Sequence, residues 1–237
     1  MVDLAVIMSV YKNDKLEFLR ESVNSILDQY FFDFDFFIAI DGPVISEIEY
    51  YLDTLNDERV RILRIEKNGG LAGALNYLLG FVMKNPDYKF IARMDADDIS
   101  MPSRLEKQRD FLNSNAEVAI VGCWYEEIDE YGKHKSFRRL PSKHEDLRKR
   151  YYTRSPFAHP SVMYRRELIE NAGFYPTDTV LMEDNVLWGK ALKAGLRFAN
   201  IPEYLLRFRK DERFYYRRSG IKYGWNYIKL GSGLIDL

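Results

Sequence analysis

The chain has 237 residues, of which 46% are hydrophobic and 30% charged, with a formal net charge of −1. That length suits one α/β domain, or one domain with a C-terminal extension, and the apolar share is enough for a sizeable core. The composition excludes a disordered chain, and the charge balance excludes a dedicated nucleic-acid binder.

In chain order, Leu4–Val10 is a short, almost continuous apolar run, as expected of a strand covered on both faces. Leu16, Leu19, Val23, Ile26 and Leu27 then recur at helical spacing. Phe36–Ile40 predicts a second strand, ending at Asp41-Gly42-Pro43. Ile48, Leu52 and Leu55 mark a second helix. Val60–Ile65 predicts a third strand, followed by the turn Asn68-Gly69-Gly70 and a helix carrying Leu71, Leu75, Leu78, Leu79 and Val82. Phe90–Met94 predicts a fourth strand running into Asp95-Ala96-Asp97-Asp98. This alternation implies βαβ units and a mostly parallel sheet, whose ligands sit beyond the carboxyl ends of the strands. The polar clusters fall at those ends: Tyr11-Lys12-Asn13, Asp41, Asn68-Gly69-Gly70 and the aspartates.

From Ser103 the pattern changes. Ser103 and Glu106 form a capping-box pair ahead of Leu105, Phe111 and Leu112. Val118–Trp124, Tyr125–Ile128 and Lys135–Arg139 predict three more strands, with a turn at Tyr131-Gly132. Asp184–Ala194 predicts a helix closed by Gly195. Leu205–Phe208 predicts a late strand, and Phe214–Leu230 a basic, aromatic helix. The expected organisation is one domain over 1–237. Residues 1–98 form a nucleotide-binding half, 99–203 an acceptor half and 204–237 a basic aromatic extension.

The single cysteine, Cys123, rules out an internal disulfide or a cysteine zinc site. Its apolar surroundings mark it as a buried structural thiol. Met1-Val2-Asp3 lacks the basic region of a signal peptide. No apolar stretch reaches the ~20 residues that span a bilayer; the richest, Phe31 to Ile40, is broken by Asp33 and Asp35. A cytoplasmic protein is expected, with at most peripheral contact at the inner face of the cell membrane.

Three carboxylates within Asp95-Ala96-Asp97-Asp98 repel one another unless a cation or water separates them. Beyond a buried strand, a hard divalent ion such as Mg²⁺ or Mn²⁺ relieves that repulsion, commonly together with substrate phosphates. The plain alternative is an exposed acidic turn, with Asp98 or Ser100 as a local cap. Asp41 can accept a hydrogen bond from a base or ribose, or simply serve the Asp-Gly-Pro turn. Asn68 and Gly69 either let backbone approach a nucleoside or make a tight turn. Glu183-Asp184 opens a helix. Asp184 is the candidate base for an acceptor hydroxyl, against an ordinary acidic first turn that favours the helix dipole. His159 is a contact for acceptor or diphosphate, an extra metal ligand, or a structural histidine.

Taken together, the chain resembles the family 2 glycosyltransferases, and within them the amylovoran and exopolysaccharide branch. The resemblance rests on Met8-Ser9-Val10-Tyr11, Asp41-Gly42-Pro43-Val44, Lys67-Asn68-Gly69-Gly70-Leu71, Ala92 to Ser100, Arg104-Leu105-Glu106-Lys107-Gln108, Ser155 to Met163, and Glu183-Asp184. It spans nearly the whole chain, into Tyr216-Arg217-Arg218. It implies the GT-A (Rossmann-like) α/β fold, a mostly parallel central sheet flanked by helices, with an acceptor-side region and the basic aromatic helix following. It also implies metal-dependent, inverting transfer from a nucleotide-diphosphate sugar to a saccharide hydroxyl, in exopolysaccharide, capsule or lipopolysaccharide synthesis. Tyr11, Asp41, Asn68, Gly69 and Asp95 would hold the donor, with His159 beside them. Asp97 would bind the metal with Asp95, and Asp184 would be the general base. Ile40 stands where many relatives carry a second aspartate, which bears on base or ribose recognition.

Residues 204–230 carry eight Lys/Arg against two acidic residues, leaving the rest of the chain at −7. A basic aromatic helix there suits an anionic membrane surface through 210–230 and a lipid-linked acceptor, or else packs with its charges solvated. Two other functions compete. A sugar-nucleotide pyrophosphorylase usually places a Gly-rich, Arg-containing loop after strand one, whereas Tyr11-Lys12-Asn13-Asp14-Lys15 has no glycine. A haloacid-dehalogenase-like phosphatase carries Asp-x-Asp after strand one, whereas here it follows strand four. An inactive module that only binds nucleotide or polymer is the non-enzymatic reading.

Overall fold

Four of the apolar runs pair side by side. The computed structural model describes residues 2–179 and 182–210. In it β1 (Leu4–Val10) lies in parallel between β2 (Phe34–Asp41) and β4 (Phe90–Asp95), and β3 (Val60–Ile65) pairs in parallel with β2. The connections are α1 (Leu16–Leu27), α2 (Ser46–Asp53) and α3 (Gly70–Val82), which follow the expected positions closely.

The sheet continues past β4. Its order is β3-β2-β1-β4-β8-β6-β9-β5, with β7 pairing to β6, nine strands among the described residues. The added strands are β5 (Ile99–Ser100), β6 (Val118–Ile128), β7 (His134–Arg138), β8 (Met163–Arg165) and β9 (Arg197–Arg209). The three-residue β8 runs antiparallel to both β4 and β6 and joins the two halves into one sheet. β6 and β9 are parallel, so β1–β4, β6 and β9 all point the same way.

Both faces are covered, which is why the central strands read as continuous apolar runs. Alternate β1 side chains enter two cores. Leu4, Val6 and Met8 meet the apolar faces of α1, α2 and α4 (Arg104–Ser114). Ala5 and Ile7 meet α3, α5 (His144–Tyr151), α6 (Glu167–Ala172) and α7 (Glu183–Lys193). Leu75, Leu78, Leu79 and Val82 on α3 are fully buried, and each such burial contributes about 1.5–3 kcal/mol.

Several expectations change. Val118–Trp124 and Tyr125–Ile128 are one strand, whose pairing with β9 shifts register around Trp124; an irregularity of this kind locally disrupts the ladder without ending the strand. The late strand extends over thirteen residues rather than four. Ser103 makes no side-chain cap bond to α4. Gln29 at the end of α1 does so instead, its Oε1 accepting the Leu105 N–H at 3.0 Å. Helices α5 and α6, strand β8 and a 3₁₀ turn at His159–Ser161 were not anticipated. They are three to eight residues long, too short to display a period. The basic aromatic helix over Phe214–Leu230 lies outside the described residues. Among those described, no helix is long and apolar enough to cross a membrane.

Cys123 is fully buried, and burial pushes its thiol up to about 11, which suits a structural role. Beside it, Gly122 is required by packing. A Cβ there would stand 2.8 Å from the Phe157 ring and closer still to Asn200 Oδ1. Gly122→Ala should therefore destabilise the fold by about 1–3 kcal/mol, read as a lowered midpoint in thermal unfolding; an unchanged midpoint would show that these neighbours yield freely.

Candidate functional site

Parallel pairing places the first group of predicted residues on one edge. Val10 is opposite Ile40, and Ser9 is opposite Asp95, so Tyr11, Asp41 and Asp95–Asp98 emerge together at the carboxyl ends of β1, β2 and β4. Tyr11 is part-buried, and its N–H donates to Asp14 Oδ2 at 2.8 Å. Asp41 is 2% exposed. Its Oδ1 accepts the Gly69 N–H at 2.7 Å and its Oδ2 accepts Asn68 Nδ2 at 2.9 Å. The same amide reaches the Asp41 carbonyl at 2.9 Å. Asp41 thus organises the Asn68-Gly69 turn that opens α3. Gly42 allows this approach. Its φ is +78°, and a Cβ would lie 2.8 Å from the Asn68 nitrogen.

The aspartates after β4 divide by burial. Carboxylate oxygens of Asp95, Asp97 and Asp98 lie within 4.8 Å of one another, with Asp95 and Asp97 part-exposed and Asp98 buried. Asp98 Oδ1 accepts the Arg209 N–H at 2.7 Å. Burial, reinforced by the negative charge of Asp97 and Asp95, pushes the Asp98 carboxyl well above its ordinary range. Asp98 is therefore the structural member, and Asp95 and Asp97 are the two that face outward. An all-carboxylate set at this spacing fits a hard divalent ion such as Mg²⁺ or Mn²⁺.

Arg209 fixes this loop from the far end of the sheet. Its Nε donates to the Asp97 carbonyl at 2.8 Å and its Nη1 to the Glu130 carbonyl at 3.0 Å. Its Nη2 pairs with Glu21, and the guanidinium stacks 4.2 Å from the Phe18 ring centroid.

Arg93, 1% exposed, lies on the same face of β4 as Asp95 and pairs with its Oδ1. Burial works against this charge; Asp95 more than restores it and holds the guanidinium above its ordinary value.

Beside this edge lies a hollow of about 240 Å³ walled by Arg93, Asp95, Tyr125, His159, Asp184 and Phe208. Asp95, His159 and Asp184 are thus brought together from widely separated stretches. Tyr11, Asp41, Asn68, Gly69 and Asp97 do not line it. His159, 9% exposed, sits in the 3₁₀ turn with Nε2 3.0 Å from the Tyr175 hydroxyl. Asn76 of α3 clamps the Tyr175 backbone through both its amide groups, at 2.9 and 2.8 Å. Asp184, in the first turn of α7, accepts the Asn185 N–H at 2.8 Å. Arg150, Arg154 and Lys210 add positive charge at the rim.

Arg93, Arg104 and Gln108 belong to the sequence motifs but have no role assigned by them. Arg104 and Gln108 are fully buried on α4. Arg104 donates to the Pro160 carbonyl at 2.8 Å and the Arg93 carbonyl at 3.1 Å; Gln108 donates to the Ser161 carbonyl at 2.7 Å. Together they brace the His159 turn against β4. The available signal was an arginine inside the apolar strand Phe90–Met94. Tyr175 and Arg209 carried no comparable signal.

A family model described as glycosyl transferase family 2 matches residues 5–173. The chain belongs to this family. It is 33% identical over 226 residues to the amylovoran biosynthesis glycosyltransferase AmsE of Erwinia amylovora, covering 95% of this chain and 81% of that one. It is 34% identical over 227 residues to the UDP-Gal:alpha-D-GlcNAc-diphosphoundecaprenol beta-1,3-galactosyltransferase of Escherichia coli, covering 95% and 80%. Among solved structures, TarS 1-349 of S. aureus in complex with UDP-GlcNAc superposes with a TM-score of 0.70 at 17% identity, over 98% of this chain and 71% of that one. The family 2 chain thus has the GT-A α/β fold.

Lys210 is held at the rim by Glu127, 3% exposed, which also accepts Ser136 Oγ at 2.7 Å and Arg138 Nη2 at 2.9 Å. Burial raises this carboxyl, but the bonds from Arg138, Lys210 and Ser136 outweigh it and bring it from 4.5 to about 2. Its folded value is depressed, so its contribution is fully present above pH 4.5 and is lost as pH falls toward 2. That contribution is of order 3 kcal/mol. Glu127→Gln should flatten the loss of stability across this interval in denaturant titrations; an unchanged acid profile would remove Glu127 as its source.

Proposed function

We propose that this chain transfers a sugar from a nucleotide-diphosphate donor to a saccharide hydroxyl by a single inverting displacement. The observation that carries the reading is the meeting of Asp95, His159 and Asp184 in one hollow, with Asp97 clustered against Asp95. The donor's nucleoside is assigned to the edge formed by Tyr11, Asp41, Asn68 and Gly69, and its sugar to the hollow. The division of labour follows: residues 1–98 hold the donor, 99–203 the acceptor, and 204–237 extend the acceptor side.

The acceptor oxygen attacks the anomeric carbon while the bond from that carbon to the diphosphate breaks. The leaving nucleoside diphosphate takes the electron pair, and Asp184 takes the hydroxyl proton. Asp184 suits this because it is part-exposed and opens α7 at the hollow wall. Mg²⁺ or Mn²⁺ held by Asp97 with Asp95 would supply charge neutralisation on the departing diphosphate. His159, fixed through Tyr175, is placed to contact acceptor or diphosphate. Family membership favours transfer over the pyrophosphorylase and phosphatase readings.

We place this transfer in exopolysaccharide, capsule or lipopolysaccharide synthesis; the amylovoran biosynthesis relative, and the E. coli relative whose name gives a lipid-diphosphate-linked sugar, support that reading. Arg150, Arg154 and Lys210 at the rim suit such an anionic acceptor. The protein would then work on the cytoplasmic side, at the membrane surface, with residues 210–230 as its contact.

Asp97→Asn should abolish metal-supported donor binding, because an anionic ligand is lost. Calorimetry with Mn²⁺ and a panel of UDP, GDP, CDP and dTDP sugars measures this, and retained binding would reject the metal assignment. Asp184→Asn should leave donor binding near wild type and lower kcat by about 10²–10⁴-fold. Near-normal transfer by that variant would sink the base assignment.

A further inference from the structure

The contact between Tyr175 and the His159 ring is held from both sides. Asn76 of α3 accepts the Tyr175 N–H at 2.9 Å and donates to the Tyr175 carbonyl at 2.8 Å, and the tyrosine is 2% exposed. The turn bearing His159 is held from α4, where Arg104 donates to the Pro160 carbonyl and Gln108 to the Ser161 carbonyl. Between these supports the Tyr175 hydroxyl lies 3.0 Å from His159 Nε2, with the ring centroids 5.4 Å apart, and Trp188 of α7 packs edge-on to the imidazole at 6.0 Å. His159 lines the hollow, whereas Tyr175 stands behind it.

The direction of this hydrogen bond follows from its chemistry. A phenol is a strong donor and a weak acceptor, because its oxygen lone pair is shared with the ring. The bare nitrogen of a neutral imidazole is the stronger acceptor. Burial pushes the Tyr175 hydroxyl above its ordinary value, which keeps the proton on the oxygen.

We propose that Tyr175 is a positioning residue that donates to His159 Nε2 and so fixes the imidazole as its Nδ1–H tautomer. His159 can then meet substrate only as a hydrogen-bond donor, toward an oxygen of the donor's diphosphate or of the acceptor. It is neither a base nor a metal ligand, because Nε2 accepts from Tyr175 and Nδ1 carries the proton. The role toward substrate rests on the transfer reading above; the tautomer is a property of the protein alone.

Long-range ¹H–¹⁵N correlation spectra of the full chain at about pH 8, above the ordinary imidazole range, report which ring nitrogen carries the proton. The chain has three histidines. His144 is the internal contrast, because its Nδ1 accepts the Phe198 N–H at 3.1 Å and its proton must lie on Nε2. His134→Gln and His144→Gln, at positions that do not line the hollow, complete the assignment. His159 should show a protonated Nδ1 and a bare Nε2, and Tyr175→Phe should move the proton to Nε2, the form a free side chain favours. A protonated Nε2 in the wild-type protein overturns the inference, whether or not sugar is transferred. Tyr175→Phe should also lower transfer by about tenfold. Comparing the best-binding of UDP, GDP, CDP and dTDP with its nucleoside separates the two substrate oxygens. Weakening confined to the diphosphate form assigns the diphosphate, and unchanged binding with a raised acceptor KM assigns the acceptor. A folded Tyr175→Phe protein with transfer and binding both within about twofold of wild type also overturns the inference. Absence of transfer by the wild-type protein rejects the transfer reading instead and leaves the tautomer result standing.

Discussion

The hydrogen bond from the Arg209 backbone to Asp98 ties the acidic loop after β4 to the end of β9. Asp98 belongs to the loop leaving the parallel half of the sheet, and Arg209 is the last residue of β9, 111 positions later. A carboxyl this deeply buried, next to two other acids, is costly unless it is bonded. The β9 backbone supplies the bond, and the Arg209 side chain ties down the Asp97 carbonyl from the same place. The outward positions of Asp95 and Asp97 depend on this arrangement. Were β9 to detach, the loop would have to solvate Asp98, and the carboxylate pair would lose its geometry.

A second set of buried polar groups joins the loop to the opposite wall. Arg104 through both terminal nitrogens, and Gln108 through its amide nitrogen, donate to carbonyls of β4 and of the turn bearing His159. Such groups are tolerated in a core only when bonded, and these bonds run between elements rather than within one. Arg104 shows the strain of its setting. Burial brings its guanidinium down to about 10, yet it is retained where an aliphatic side chain would pack more cheaply. The fold gives up some stability here and gains a fixed relation between the carboxylates and the His159 turn.

The edge at the carboxyl ends of β1, β2 and β4 was legible because its determinants are local. Strands β1 to β4 are short apolar runs bounded by turn residues, and parallel sheets put binding residues at their carboxyl ends. The Asp41, Asn68 and Asp95–Asp98 clusters could be placed there without coordinates. The half of the chain after Ser100 was less legible. The eleven-residue β6 hides a bulge, α5 is dominated by charged residues, and β8 has three residues. None has a period long enough to count. The proposed capping pair at Ser103 looked sound by spacing, yet Gln29, just past the end of α1, took the role.

Periodicity is enough to give the βαβ pattern, and short motifs carry both the family resemblance and the residue types that gather at the strand ends. Tertiary structure decided which carboxylates face outward and which are buried. Asp95, Asp97 and Asp98 are near neighbours in the chain, but only the folded surroundings separate them: Arg93 beneath the first, an Arg209 bond to the backbone of the second, and Arg209 again on the side chain of the third. Charge environment depends on partners scores of residues away, and no local pattern encodes those partners.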